Sequence, residues 1–545
     1  MRGERFDAIQ HAILAGDFER AAELIELATP DMQKNRGEAI LRGWSRQLPR
    51  ELVRRRPVLG IGFVGALVSY GEFDGIEERL RDVERGLATL AEAGTASGTM
   101  VVDHGQLPRL PGAIELYRAA LAQVRGDVPA IIEHAQNVLE LAPPDDHVSR
   151  AAGSSMLGIA YWSQGSLDAA RLAWTEGRNG LQRAGHIPDV LGVSLALADI
   201  NRALGRLGEA IAVCESALRL ATTDDGRALR GTADMHAGLS DLYRERNDFA
   251  AARQHLSMSQ ALGEAAGLPQ HAYRWRVAAA QLRHDEGDLD GAGQLLDEAE
   301  RLYVSDFFPD VRPVAAVRAR LWIRQGRTTD ALRWQRERGL GIDDELSYLR
   351  EFEHITLARL LLAQDAHSVA ARRLLDRLLE AATRGARMGS VIEISMLQSL
   401  ASPGDGEPGA PLVPLERALS LAEPEGYFRI FGDGGDRMAL LLKAALKRGI
   451  TPAYTRELLA AFGSPARQGP AHPDLIEPLS ERELDVLRLL RGELGGPEIA
   501  RELMISLNTM RTHTKNIYDK LGVNNRRSAI HRADELNLLI RGRSE

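Results

Sequence analysis

Residues 157–169 read Leu157-Gly158-Ile159-Ala160-Tyr161-Trp162-Ser163-Gln164-Gly165-Ser166-Leu167-Asp168-Ala169, and this stretch decides the fold. Leu157-Gly158, Tyr161, Gly165 and Ala169 stand at the offsets of a two-helix repeat, where small residues let antiparallel helices approach closely. Gly165 is placed to end the first helix in the left-handed conformation, and Leu167 to close the turn over the second. A turn signature of glycine, polar, then apolar recurs along the chain at Gly16-Asp17-Phe18, Gly71-Glu72-Phe73, Gly126-Asp127-Val128 and Gly205-Arg206-Leu207. It continues at Asn247-Asp248-Phe249, Gly287-Asp288-Leu289 and Gly326-Arg327-Thr328. From position 126 the steps are 39, 40, 42, 40 and 39 residues, while the two earlier steps are 55, so the early repeats carry insertions or longer helices. One helix pair cannot bury its apolar face alone, and successive pairs must stack into a superhelix.

Composition agrees. The chain has 545 residues, too many for one ordinary core. Aromatic residues make up only 5% against 44% hydrophobic overall, which suits an Ala/Leu-rich helical protein rather than a sheet. No apolar run reaches the roughly 18 residues of a membrane helix, and the first residues lack the apolar core of a secretory signal, so the expected location is cytoplasmic, with no membrane partner. A single cysteine, Cys214, excludes an intramolecular disulfide and a multi-cysteine zinc site.

The repeat pattern spans residues 1–400. A Pro/Gly-rich segment, 401–414, reads as a solvated loop; 415–462 reads as helical again and as a cap of the array; 463–477 has the composition of a linker. Residues 478–541 form a separate small module. In it, Leu479-Ser480-Glu481-Arg482-Glu483-Leu484 opens a helix, with Ser480 and Glu483 as a capping box and Leu479 and Leu484 as a hydrophobic staple. Gly492 stops that helix, Gly496-Pro497 restarts one, and after Ile505 a third helix, capped by Ser506 or Asn508, runs to Leu521. Two short helices joined by a tight turn, the second one basic, make a helix-turn-helix.

Charge distribution bears this out. The whole chain carries −8, yet Ile505–Arg532 holds Arg511, Lys515, Lys520, Arg526, Arg527 and Arg532 against Asp519 alone. A locally basic helix on an acidic body is the footprint of a DNA-reading module. Arg511 and Lys515 lie one turn apart with Thr512 between them, on the half of the helix that reaches base edges in the major groove. Ser506, Asn508 and Thr509, at the helix start, suit phosphate oxygens. For Arg526 and Arg527, phosphate contact and a structural role at the start of the last helix weigh equally.

Residues 479–539 resemble the LuxR/GerE-type DNA-binding domain, through L-S-E-R-E-L-D-V-L, E-I-A-R-E-L, I-S-L-N-T-M-R-T-H-T-K-N-I-Y-D-K-L-G-V and N-R-R. The resemblance implies base contacts at Arg511, Thr512 and Lys515, and dimerisation on a two-fold site through a last helix near Asn525–Leu536. Glu493-Leu494-Gly495-Gly496 and Met510 depart from the family pattern, but in the turn and the core, which bears on affinity more than on function. The two-helix repeats match the tetratricopeptide pattern, and A-G-D-F-E-R-A-A-E-L-I (15–25) with A-E-P-E-G-Y-F-R-I-F (422–431) is similar to the MalT-like large regulators. Those regulators usually begin with a nucleotide-binding ATPase module. None of the five lysines here (34, 443, 447, 515, 520) follows a glycine, so a G-x-x-x-x-G-K-[ST] loop is impossible in this sequence. The chain starts where that module would have ended, as either an ATP-independent variant or a truncated gene model would.

The resulting expectation is an all-α protein: a tetratricopeptide-like helical repeat superhelix followed by a four-helix LuxR-type helix-turn-helix domain. Its function is expected to be sequence-specific transcriptional regulation at double-stranded promoter DNA, with RNA polymerase as a further partner, a homodimer on DNA, and a small-molecule or protein effector on the superhelix. The alternative is a protein-interaction scaffold whose terminal domain is vestigial or autoinhibited. No constellation of an enzyme, a cofactor or a metal site is expected: His513 is isolated from other ligands, and Asp145-Asp146, Asp224-Asp225 and Asp343-Asp344 fall in loops as caps or turn residues. Trp44, Trp162, Trp174, Trp275, Trp322 and Trp334 all lie in the repeats, where core packing is the favoured reading and a wall of a concave effector site the lesser alternative.

Overall fold

The computed structural model describes residues 2–463 and 481–535, apart from 35–36, 94–99, 223–225, 305–307, 366–367, 403–408, 493, 503–506, 522 and 524. The expected linker falls almost wholly outside them, as does the Asp224-Asp225 pair. Regular structure among the described residues is helical, with one isolated antiparallel bridge between Thr222 and Ala228. The chain opens with α1 (Arg2–Leu14) and α2 (Phe18–Lys34), followed by α3 (Glu38–Ser45), α4 (Arg50–Arg54), α5 (Pro57–Ser69) and α6 (Ile76–Ala93). Antiparallel pairs follow: α7 (Leu110–Arg125) with α8 (Val128–Leu141), α9 (His147–Ser163) with α10 (Leu167–Arg183), and α11 (Ile187–Ala203) with α12 (Leu207–Leu218). Next come α13 (Thr232–Glu245) with α14 (Phe249–Leu262), α15 (His271–Asp285) with α16 (Leu289–Arg301), and α17 (Val314–Arg324) with α18 (Thr328–Glu337). The array ends with α19 (Glu351–Gln364) and α20 (Val369–Arg384), α21 (Met388–Ala401) and α22 (Leu412–Ala422), the single turn α23 (Arg429–Gly432), and α24 (Gly435–Lys447) with α25 (Pro452–Gly463). The last module holds α26 (Glu481–Leu490), α27 (Gly496–Glu502), α28 (Leu507–Leu521) and α29 (Arg526–Glu535).

All eight turn positions read from the sequence have positive φ, from Gly16 at 74° and Gly165 at 77° to Asn247 at 63° and Gly287 at 91°. That conformation is cheap for glycine and tolerable for asparagine, and it lets the turn close without a Cβ clash. The aspartate after it caps the next helix. Asp17, Asp127, Asp248 and Asp288 each accept the backbone N–H three residues on, at 3.1, 3.2, 3.0 and 2.9 Å. One dipeptide therefore ends one helix and starts the next.

The first 55-residue step is explained by α3 and α4, inserted between the helices of the first two turns. The second is filled by α6 and the stretch before α7, which includes a 3-10 segment at His104–Arg109. Two connections late in the array lack the glycine signature. The turn between α20 and α21 places Ala386 at φ 52°, where the signature has glycine. The Pro/Gly-rich segment joins α21 to α22, and α22 begins at Leu412, inside the stretch expected to be loop. Leu412, Leu415, Ala418 and Leu419 share one core with Val391, Ile392 and Ile394 of α21, so α22 is the second half of a repeat. Asp146 and Asp344 are turn residues, accepting Ser149 N at 3.1 Å and Gly341 N at 3.0 Å.

The array closes on itself. Tyr427 Oη donates to Arg202 O at 3.0 Å, Phe428 N to Glu245 O at 2.9 Å, and Gly208 N to Glu425 Oε2 at 2.9 Å. Trp162 Nε1 donates to Tyr348 Oη at 3.2 Å across 186 residues of sequence. Turn glycines serve as the seats of this closure: a Cβ on Gly205 would meet Met388 Cβ at 2.8 Å, and one on Gly165 would meet Tyr348 Cβ at 2.8 Å.

Inside the α13–α14 pair, His236 Nδ1 and His255 Nδ1 lie 2.8 Å apart, and Tyr243 stacks on the His255 ring at 5.4 Å. One nitrogen must donate and the other accept, so the pair cannot carry two protons at these atoms. Burial and the neighbouring His255 push His236 down to about 4, and burial also lowers His255. A histidine whose folded pKa lies below its unfolded value contributes stability that is complete above pH 6.5 and is lost as pH falls toward 4. The expected loss by pH 5 is about 1 kcal/mol, allowing for partial water access. Melting temperatures at pH 7.5 and pH 5 test it, and an equal pH dependence in His236→Phe would remove the attribution.

Candidate functional site

The four C-terminal helices pack around Val486, Leu487, Leu490, Ile499, Ala500, Met510, Ile517, Leu521, Ala529 and Ala533, all buried. Met510, Ile517 and Leu521 form the inner line of α28, as their spacing requires. At 3.6 residues per turn, Asn508, Thr512 and Lys515 fall across the helix from that line, with Arg511 at its flank. Ser506 lies outside the described residues, and for Asn508, Thr509, Arg511 and Thr512 only the backbone position on α28 is described. Asn508 is thus inside the first turn rather than its cap. Lys515 is exposed and makes no ion pair with a described residue.

Two of the six bases counted in the sequence are committed elsewhere. Lys520 Nζ donates to Glu483 Oε2 at 3.0 Å, tying α28 to α26. Glu483 was expected to complete a capping box with Ser480, which lies outside the described residues. Arg526 is held by the backbone, with Nε donating to Leu490 O at 2.8 Å, Nη1 to Leu494 O at 2.7 Å and Nη2 to Gly492 O at 2.7 Å. Its charge sits where the α26 dipole is negative and where the last carbonyls lack helical partners. Asn525 Oδ1 accepts Ser528 N at 2.9 Å and so caps α29. Arg527 remains exposed. The outward positive charge is therefore narrower than the sequence count, and is carried among the described side chains chiefly by Lys515 and Arg527.

A second feature could not be assigned to residues beforehand. The first helices of the central pairs, α9 through α21, line a cavity of about 710 Å³ to which the α23 region also contributes. Trp162, Tyr273, Phe308 and Phe352 supply aromatic wall. Of the six tryptophans, Trp44, Trp174 and Trp334 are core, while Trp162 both packs and borders the cavity. Salt bridges run round the lining: Arg202 and Arg244 with Asp241, Arg244 with Asp285 at 2.8 Å, Arg429 with Asp285 at 3.0 Å, and Arg359 with Glu393 at 2.7 Å. Burial alone would raise the Asp241 carboxyl, but Arg202 and Arg244 hold it well below its ordinary value. His284, Asp285 and Asp433 bring ligand atoms within 4.8 Å of one another. Asp285 is taken by Arg244 and Arg429, and Asp433 by Arg324 at 2.9 Å, which accounts for the cluster without a metal.

Residues 112–448 match the family model described as the MalT-like TPR region. The chain belongs to that family. Residues 477–533 match a second model, described as bacterial regulatory proteins of the luxR family, so MalT-like repeats and a luxR-type domain stand in one chain. A curated relative, the HTH-type transcriptional regulator MalT of Serratia proteamaculans (strain 568), is 25% identical, over 97% of this chain and 60% of its own length. The chain thus spans about three-fifths of that relative. Among solved structures, a Rap protein complexed with competence and sporulation factor aligns at TM-score 0.45 and 13% identity, over 69% of this chain and 99% of its own. A Naa15/Naa10 complex bound to HypK-THB aligns at TM-score 0.20 and 12% identity, over 99% of this chain and 77% of its own. No described helix is long and apolar enough to cross a membrane.

Proposed function

We propose that this MalT-like chain is a DNA-binding transcriptional regulator, with α28 as the recognition helix and the repeat superhelix as its input end. The observation that carries the reading is α28 itself: one face sealed into a small core by Met510, Ile517 and Leu521, the other presenting Lys515 to solvent. Such a helix fits the major groove, where Arg511, Thr512 and Lys515 would read bases and Asn508 and Thr509 would meet phosphates. Binding to double-stranded promoter DNA as a homodimer, contact with RNA polymerase, an effector on the superhelix, a cytoplasmic location and the absence of catalysis belong to the same reading. So do the proposed units: repeats to about residue 400 and on through α22, helical closure to 462, a linker, and the DNA-binding module from 478.

The test starts by selecting a DNA site from random duplexes with the full chain. On that site, Lys515→Ala is expected to weaken binding by about 1–3 kcal/mol and to reduce the salt dependence by about one released counterion. Affinity and salt slope both equal to wild type would sink the assignment of α28 as the reading helix.

A further inference from the structure

The cavity's polar lining is unevenly satisfied. Arg320 gives Nε to Thr356 Oγ1 at 2.9 Å and Nη1 to Glu393 Oε1 at 2.8 Å, and its Nη2 is buried with no partner. Arg312 makes no hydrogen bond or ion pair with a described residue. Both guanidinium groups lie over one ring: Arg320 is 3.7 Å from the Phe352 centroid and Arg312 is 5.3 Å from it. Glu393, the carboxylate beside Arg320, is already shared with Arg359. Arg312 lines the cavity and is exposed to solvent.

Among the described residues, neither guanidinium group has a carboxylate to itself. Burial, and then the like charge of Arg202, pull Arg312 below its ordinary range. Burial, only partly offset by Glu393, pushes Arg320 down to about 9. Asp199 also lines the cavity without an ion pair to a described residue, and burial pushes its carboxyl upward. An oxyanion is the group that would complete this guanidinium pair.

We propose that the superhelix cavity binds a small organic oxyanion, a carboxylate or a phosphate ester, with its charged head held by Arg312, next to Arg320 and Phe352. The volume, about 710 Å³, suits a metabolite-sized body. Phe308 and Tyr273 offer flat apolar surface for that body. The proposal supplies the chemical class of the effector in the regulator reading and rests on that reading only for its consequence at DNA. A cation is disfavoured at the nearby His284, Asp285 and Asp433, whose carboxylates are held by arginines.

The test titrates the full chain with citrate, glucose 6-phosphate and, as a neutral control, glucose, at constant ionic strength. Tryptophan fluorescence and melting temperature are followed. At least one anion is expected to bind saturably and raise the melting temperature, while glucose does neither. Response to citrate alone identifies a carboxylate ligand, and response to glucose 6-phosphate alone a phosphate ester. Arg312→Ala is expected to weaken anion binding at least about tenfold while changing the unliganded melt little, since that side chain makes no hydrogen bond or ion pair with a described residue and touches α19 through the Phe352 ring. Asp199→Asn is expected to bind the anion as well as wild type or better. The proposal is overturned if neither anion binds up to about 10 mM, where even weak sites fill. It is equally overturned if Arg312→Ala binds like wild type, or if Asp199→Asn loses binding while Arg312→Ala keeps it. Gel shifts on the same unliganded samples report DNA binding separately, so a failed regulator reading and a failed anion site give different results.

Discussion

Arg526→Ala is expected to strip about 2–3 kcal/mol from the C-terminal module, because one guanidinium closes three backbone carbonyls at the end of α26. The loss exceeds that of an ordinary surface arginine, whose ion pairs are screened by water. Arg526→Lys should recover little of it, since an ammonium cannot present three donors in a planar fork. Hydrogen exchange in the full chain reads the effect directly: amides of α26 and α29 should lose roughly thirty- to hundredfold protection. DNA affinity should fall as well, but with an unchanged salt slope, in contrast to Lys515→Ala. Preserved protection combined with a reduced slope would return Arg526 to the phosphate-contact role that the sequence left open.

Gly389→Val is expected to destabilise the superhelix by about 2–3 kcal/mol. A Cβ at Gly389 would stand 2.5 Å from the carbonyl oxygen of Arg202 and 3.1 Å from that of Ala203, so the obstacle is backbone and not a side chain that can swing away. The contact joins α21 to the end of α11, and relief requires the two helices to part. A lower melting temperature with an increased radius of gyration in X-ray scattering is therefore expected. Gly192→Ala is the matched control: its Cβ meets nothing within 4 Å, and alanine in a helix interior should be neutral or stabilising by up to about 1 kcal/mol. Equal melts for Gly389→Val and wild type would show that the α11–α21 junction carries no load.

These two sites mark where the sequence could be read and where it could not. Turns announce themselves because a left-handed residue followed by a cap is a local requirement: Gly126-Asp127 and Gly287-Asp288 show it in adjacent positions. Where the left-handed site is filled by Ala386, the same turn is invisible, and the α21–α22 pair was hidden by its long connection. In the C-terminal module the buried line of α28 followed from helical spacing. The partners of Lys520 and Arg526 did not, since Glu483 and the carbonyls near Gly492 lie more than thirty residues away in sequence. The cavity was out of reach for the same reason. Arg312, Arg320 and Phe352 meet only after several repeats have set the superhelical pitch, a sum of small rotations that no single repeat encodes.

An open solenoid is close to a one-dimensional chain of neighbours, able to fray from either end one repeat at a time. The bonds from Tyr427 to Arg202 and from Phe428 to Glu245 remove that freedom from the middle of this chain. They connect partners 225 residues apart in one case, so they form only once the repeats between them are in place. The enclosed segment should then unfold as one block, with the first pairs outside it melting independently. Shortening the array from its C-terminal side would not trim one repeat's worth of stability; it would convert a ring into a ribbon, and the block would dissolve into separately fluctuating pairs.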